Sequence, residues 1–202
     1  MSGYPVAVEQ VTTVRRPLVL ADLVPGDRVR DALLVLGAAA FIGALAQVSI
    51  PLGFTPVPIT GQTLGVLVVG CSLGCRRAVA GSVLYAVLGV LGVPWFAGHM
   101  GGWPGPLAGY IVGFILAAAV CGLLAERGAD RRVLRSLPTM VAGELCIYLP
   151  GVTWLALSEH LGPLTALALG FTPFVIGDAI KLALAAGLLP AAWALARPRR
   201  RE

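Results

Sequence analysis

Six long apolar stretches follow one another along this chain, and arginine marks every second connection between them. They cover residues 32–50, about 60–75, 78–93, 107–125, 138–157 and 173–196. A helix of ~20 apolar residues crosses the hydrocarbon core of a bilayer. The second and third stretches are short for this and need shelter from neighbours or a thinned bilayer. Arg15, Arg16, Arg28 and Arg30 precede the first stretch, and Arg76 and Arg77 separate the second from the third. Arg127, Arg131, Arg132 and Arg135 separate the fourth from the fifth, and Arg197, Arg199, Arg200 and Arg201 follow the sixth. The other three connections contain no Lys or Arg. The positive-inside rule then predicts an all-α integral membrane protein with six transmembrane helices and both termini cytoplasmic. Residues 1–31 read as a polar cytoplasmic surface segment, 32–196 as the membrane domain and 197–202 as a basic cytoplasmic tail.

Composition supports this and excludes other classes. The chain has 202 residues, 57% hydrophobic and only 12% charged. Soluble domains carry about twice that charge. One membrane domain fills the length, leaving none for a soluble catalytic domain. The net charge of +5 follows the loops, so the basic tail reads as an anchor near anionic lipid rather than a nucleic-acid site. Cys71, Cys75, Cys121 and Cys146 form no C-x-x-C pair; they read as small buried hydrophobes rather than a disulfide or metal set. The first apolar run begins only after Arg28, Arg30 and Asp31 and reads as a span, not a cleaved leader.

Ionisable residues inside a span mark function by default. Asp178 and Lys181 lie three residues apart in the sixth stretch, a spacing at which helix side chains meet. Thr172 and Pro173 suit the cap and first position of that helix. Counted from Pro173 at 1.5 Å per residue, Asp178 is about 7 Å and Lys181 about 12 Å deep, in the outer half of the membrane. Glu144, counted from Pro138, lies about 9 Å above the inner surface, which separates it from Asp178. An inert ion pair is the alternative for Asp178 and Lys181, although desolvating two ions is costly. Glu144 suits either a protonated helix–helix hydrogen bond or a functional carboxylate.

The outer loops are stiff and aromatic. The 1–2 loop carries Pro51, Pro56 and Pro58 and leads into Gln62; the 3–4 loop carries Trp95, Phe96, His99, Trp103 and five glycines. They read as lids over a pocket for a small, partly apolar molecule, or as an interfacial aromatic belt. Gln62 and Tyr110 flank the same outer chamber. His99 and His160, without nearby acids, make a poor zinc site.

The ordered motifs resemble one family. Pro56-Val57-Pro58-Ile59-Thr60 with Gln62-Thr63-Leu64-Gly65 resembles the outer loop and second helix of the BioY family, the biotin-binding S components of energy-coupling factor (ECF) transporters. Gln47, Ser49-Ile50-Pro51-Leu52, Pro94, Phe96-Ala97-Gly98, Gly109-Tyr110, Gly113-Phe114, Ile147-Tyr148-Leu149, Trp154 and Gly177-Asp178 with Lys181 continue it, across about residues 32–196. Gly61, Leu107-Ala108 and Glu144 depart from the family pattern. The resemblance implies a six-helix subunit in a prokaryotic plasma membrane that captures biotin at its outer face and takes it up. It implies ligand contacts from Asp178, Lys181, Gln62, Tyr110, Tyr85, Phe96 and His99: Asp178 accepting from the ureido N–H groups, and Lys181 meeting the ureido carbonyl or the carboxylate. It implies partners as well: a transmembrane coupling protein, docked on the small face of Ala40 and Ala44, and two ATPases. The chain has no G-x-x-x-x-G-K-[ST] motif, so ATP belongs to those partners, and no cofactor or metal is expected here. Rival readings are an S component for another vitamin and an ion-coupled carrier using Asp178 and Lys181. An enzyme would need a nucleophile–base pair or a metal cluster, and neither is legible.

Overall fold

Inside a bilayer the backbone has no water to bond, so the apolar runs must close their hydrogen bonds internally as helices. The structure, a computed structural model, describes residues 18–196. Seven α-helices occur among them: α1 (Arg28–Ala46), α2 (Gln62–Leu73), α3 (Cys75–Val90), α4 (Ala108–Glu126), α5 (Val133–Ser158), α6 (Pro163–Gly170) and α7 (Val175–Ala196). Four segments are long and apolar enough to cross a membrane: Arg28–Ala46, Gly105–Glu126, Val133–Ser158 and Pro163–Ala196. α2 and α3 are shorter, with 12 and 16 residues. Arg15, Arg16, Arg197, Arg199, Arg200 and Arg201, on which the topology reading partly rests, lie outside the described residues.

α4 is the central helix, packed on α5, α2 and α3, while α1 lies on α3 and α7 on α5 and α2. Small residues let α4 and α5 approach closely. A Cβ at Gly113 would sit 2.7 Å from the Ile147 Cα and carbonyl, as close packing in lipid requires. Two apolar clusters result. The outer one joins Ile42, Tyr85, Phe96, Tyr110, Phe114, Ile147 and Phe174. The inner one joins Leu67, Cys71, Cys121, Met140, Ala185 and Leu189. All four cysteines are free thiols, and Cys71 and Cys121 are fully buried.

Four features differ from the sequence expectation. First, residues 18–23 are not a loose surface lead: Val19 and Ala21 are buried in the inner cluster. Arg77 ties Asp22 at 2.8 Å to Asp31 at 3.1 Å. Burial alone would raise the Asp22 carboxyl, but the Arg77 guanidinium and the Val19 and Leu18 N–H groups hold it below its ordinary value. Second, α1 begins at Arg28, capped by Asp27 accepting from the Val29 N–H. Third, α5 begins at Val133, five residues before Pro138, which sits in its early turns; the Ser136 and Thr139 hydroxyls donate to the Arg132 and Arg135 carbonyls. Fourth, the 5–6 connection contains α6, and Thr172 does not cap α7: its hydroxyl donates to the Leu167 carbonyl, and a 3-10 turn over Thr172–Phe174 precedes the helix.

The outer loops are pinned rather than loose. β1 (Ser49–Ile50) pairs antiparallel with β2 (Ile59–Thr60), Ser49 opposite Thr60. This closes the base of the 1–2 loop, and the Thr55 hydroxyl ties its tip to the Leu169 carbonyl of α6 at 2.9 Å.

Candidate functional site

A narrow apolar cleft opens beneath the two outer loops, with about 50 Å³ of free interior. Its walls come from Val57 and Pro58, Phe96 and Met100, Phe114, Ile147 and Phe174. Its polar side chains are few: Thr60, Gln62, Thr63, Tyr110, Tyr148, Asp178 and Lys181, of which Thr63, Tyr148, Asp178 and Lys181 are bonded together.

Asp178 is the hub of that bonded set. It is only 5% exposed and accepts two hydrogen bonds. The Lys181 ammonium donates to Oδ1 at 2.8 Å, and the Tyr148 hydroxyl donates to Oδ2. Lys181 also donates to the Thr63 hydroxyl at 3.1 Å, joining α7 to α2. The i, i+3 spacing on α7 brings the ion pair together and Tyr148 reaches it from the antiparallel α5. The ring of Tyr148 is held edge-on between Tyr110 and Phe171, with centroids 6.3 and 4.9 Å away.

The second tier supports the first. Gln62 donates to the Tyr85 hydroxyl at 2.6 Å. The Tyr85 ring contacts Trp95 and Phe96, each centroid 5.4 Å away. Phe96 fits because residue 89 is glycine: a Cβ there would lie 2.2 Å from the Phe96 ring. The Tyr110 hydroxyl donates to the Gly170 carbonyl at 2.8 Å. The Gln47 amide donates to the Gly43 and Trp95 carbonyls, binding the 3–4 loop to the end of α1.

Of the residues singled out by sequence, Asp178, Lys181, Gln62, Tyr110 and Phe96 all line this cleft. Tyr85 does not: it is fully buried behind Gln62 and acts as a support. His99 does not either: it is exposed in a left-handed turn and faces a separate surface cleft with Gln47, Ser49 and Thr55. Ala40 and Ala44 lie exposed on α1. Sequence reasoning missed Tyr148 and Thr63 as partners of the ion pair. It also placed Glu144 too far away, because its depth was counted from Pro138. Counted from Val133, Glu144 is about 16 Å along α5, and it acts electrostatically on Asp178 and Lys181. The usable signal was the spacing from Glu144 to Tyr148, one helical turn.

This arrangement suits one kind of molecule: a small ligand with an apolar body and a compact head carrying both donors and acceptors. A model of the BioY family matches residues 13–198. The chain belongs to the BioY family. The biotin transporter BioY of Rhizobium etli is 39% identical over 168 residues, 78% of this chain and 89% of that protein. The probable biotin transporter BioY of Pyrococcus horikoshii is 37% identical over 78% of this chain and 93% of its own length. The biotin transporter BioY of Thermotoga maritima is 40% identical over 77% and 86%. Among solved structures, the S-component for biotin from an ECF-type ABC transporter, crystallised at 2.1 Å, superposes with a TM-score of 0.75. It shares 25% identity, over 83% of this chain and 92% of that one. This BioY chain is thus a multi-pass membrane protein of a transporter family.

Proposed function

We propose that this chain captures biotin at its outer face and takes it up as the S component of an ECF-type transporter. One observation carries the reading: a buried carboxylate and a half-buried ammonium, cross-bonded to Tyr148 and Thr63, line an apolar cleft under two pinned loops. Biotin has the matching chemistry. Its ureido N–H groups find an acceptor in Asp178, its bicyclic body finds Phe96, Phe114, Ile147 and Phe174, and its carbonyl or carboxylate finds Lys181 or Gln62. Tyr85 contributes by holding Gln62 in place.

The chain crosses a prokaryotic plasma membrane six times, with both termini in the cytoplasm; α6 packs on α5 as part of the 5–6 connection. The 32–196 segment forms the substrate-binding domain, between a polar N-terminal segment and a basic tail. Biotin enters from outside under the 1–2 and 3–4 loops. A transmembrane coupling protein, docked on Ala40 and Ala44, and two ATPases provide the energy, and this chain binds no cofactor. Calorimetric titration of the detergent-purified protein with biotin, thiamine and riboflavin tests the substrate. One-to-one heat from biotin alone supports it; heat from another vitamin, or none from biotin, overturns it.

A further inference from the structure

Glu144 is a buried carboxylate that the binding scheme does not use. It is 6% exposed, and neither carboxylate oxygen has a hydrogen-bond donor. It acts electrostatically on Asp178 and Lys181 of α7 and on Tyr148 of its own helix. The other helices packed on α5 bring no charge to it: α2 and α4 carry Cys71, Cys121 and Tyr110 there, none of which acts on it, and α6 has no titratable residue. Tyr148 sits one turn above Glu144 on α5, and Lys181 sits three residues below Asp178 on the antiparallel α7. These steps of about 6 and 4.5 Å put Glu144 and Lys181 at matching depth once Tyr148 meets Asp178.

Around the ion pair the hydrogen-bond count is uneven. Asp178 already accepts from Lys181 and Tyr148, while Lys181 uses two of its three N–H groups, on Asp178 and Thr63. A carboxylate without donors in a dry interior is costly when ionised, so Glu144 rests as the neutral acid. A ligand that offers N–H groups to Asp178 competes with the donors already held on its two oxygens. Displaced Tyr148 is neutral; displaced Lys181 is a charge that needs an anion.

We propose that Glu144 is the second carboxylate seat of Lys181, and that biotin binding shifts the ammonium from Asp178 to Glu144 with release of one proton. The proposal rests on the biotin reading above. The balance is complete: the Glu144 acid loses its proton to the solvent, Lys181 stays an ammonium, and Asp178 stays a carboxylate that now accepts from biotin. Glu144 is a positioning residue, acting through Lys181.

The test is calorimetry of biotin binding near pH 7 in buffers of different ionisation enthalpy, which counts protons. Wild type is expected to release close to one proton per biotin, and its affinity to rise with pH, by at most tenfold per unit, until Glu144 is ionised without ligand. Glu144→Gln is expected to release none and to bind biotin more weakly. Biotin-induced difference infrared spectroscopy on wild type reads the same event without a variant, as loss of a protonated-carboxyl C=O band. Tight biotin binding without proton release, or release that persists in Glu144→Gln, overturns the proposal and leaves the biotin reading standing. Absence of biotin binding by wild type overturns both.

Discussion

Asp178→Asn separates the ligand-binding role of Asp178 from an inert ion pair. The substitution keeps the size of the side chain but removes the acceptor charge. In wild type, Asp178 holds the Lys181 ammonium at 2.8 Å and the Tyr148 hydroxyl, almost out of contact with solvent. A hydrogen bond to a charged partner is worth about 1.5–3 kcal/mol. Losing the charged acceptor for the ureido head should therefore weaken biotin binding about 10- to 150-fold. Leaving the Lys181 ammonium with neutral acceptors only, the new amide oxygen and Thr63, should also cost up to about 3–5 kcal/mol of folding stability, a loss that Lys181→Met in the same chain should largely reverse. Calorimetry with biotin and thermal unfolding without it give the two numbers separately. The inert-pair reading predicts the stability loss and its reversal, but binding within about threefold of wild type. That result would refute the site assignment.

Other predictions follow from neighbouring residues. Tyr148→Phe removes one donor from Asp178 and should weaken biotin about 5- to 30-fold by the same titration; unchanged affinity would leave Tyr148 a mere wall. Gly89→Ala places a Cβ 2.2 Å from the Phe96 ring; this overpacking should cost about 1–3 kcal/mol, read as a fall in melting temperature of several degrees, with weaker biotin binding as Phe96 is pushed aside. Asp130, fully buried between α4 and α5, accepts from the Trp193 indole while its other oxygen has no partner. Burial pushes its carboxyl above the ordinary value, so the native state holds the proton to higher pH than the unfolded chain. Its contribution to stability therefore falls as pH rises from about 4 towards the raised value. Asp130→Asn should remove that fall while still accepting from Trp193, and parallel melting profiles for the two proteins would count against it.

Much of the fold was legible because lipid imposes one rule: long apolar runs become helices. The runs matched six of the seven helices to within a few residues at most ends. α6 was not legible, because an eight-residue helix between α5 and α7 has no period long enough to distinguish it from a loop. The start of α5 was misplaced because Pro138 looks like a helix opener, whereas it sits inside the helix, five residues after Val133. That single offset hid one partner of the site, since depth along α5 decides that Tyr148 meets Asp178. Asp178 and Lys181 themselves were legible as charges in an apolar stretch. His99 was read from loop composition, and the fold turns it towards an adjoining surface cleft: neighbours in sequence at a glycine-rich turn need not point the same way.

The anchorage of the 3–4 loop has a mechanical consequence. At one end, Gln47 holds the Trp95 carbonyl at 2.9 Å, and the Trp95 indole donates to the Tyr85 carbonyl at 3.1 Å. At the other, Trp103 leans on Trp154 of α5, whose indole donates to the Gly105 carbonyl at 2.9 Å. The loop is thus a strap buckled to α1 and α3 on one side of the mouth and to α5 on the other. A strap buckled at both sides cannot lift like a flap. Loading a molecule beneath it must either undo one buckle or change the spacing of the helices that carry them. Filling the cleft then becomes a change of girth across the outer end of the bundle, sensed on α1 as well as on α5.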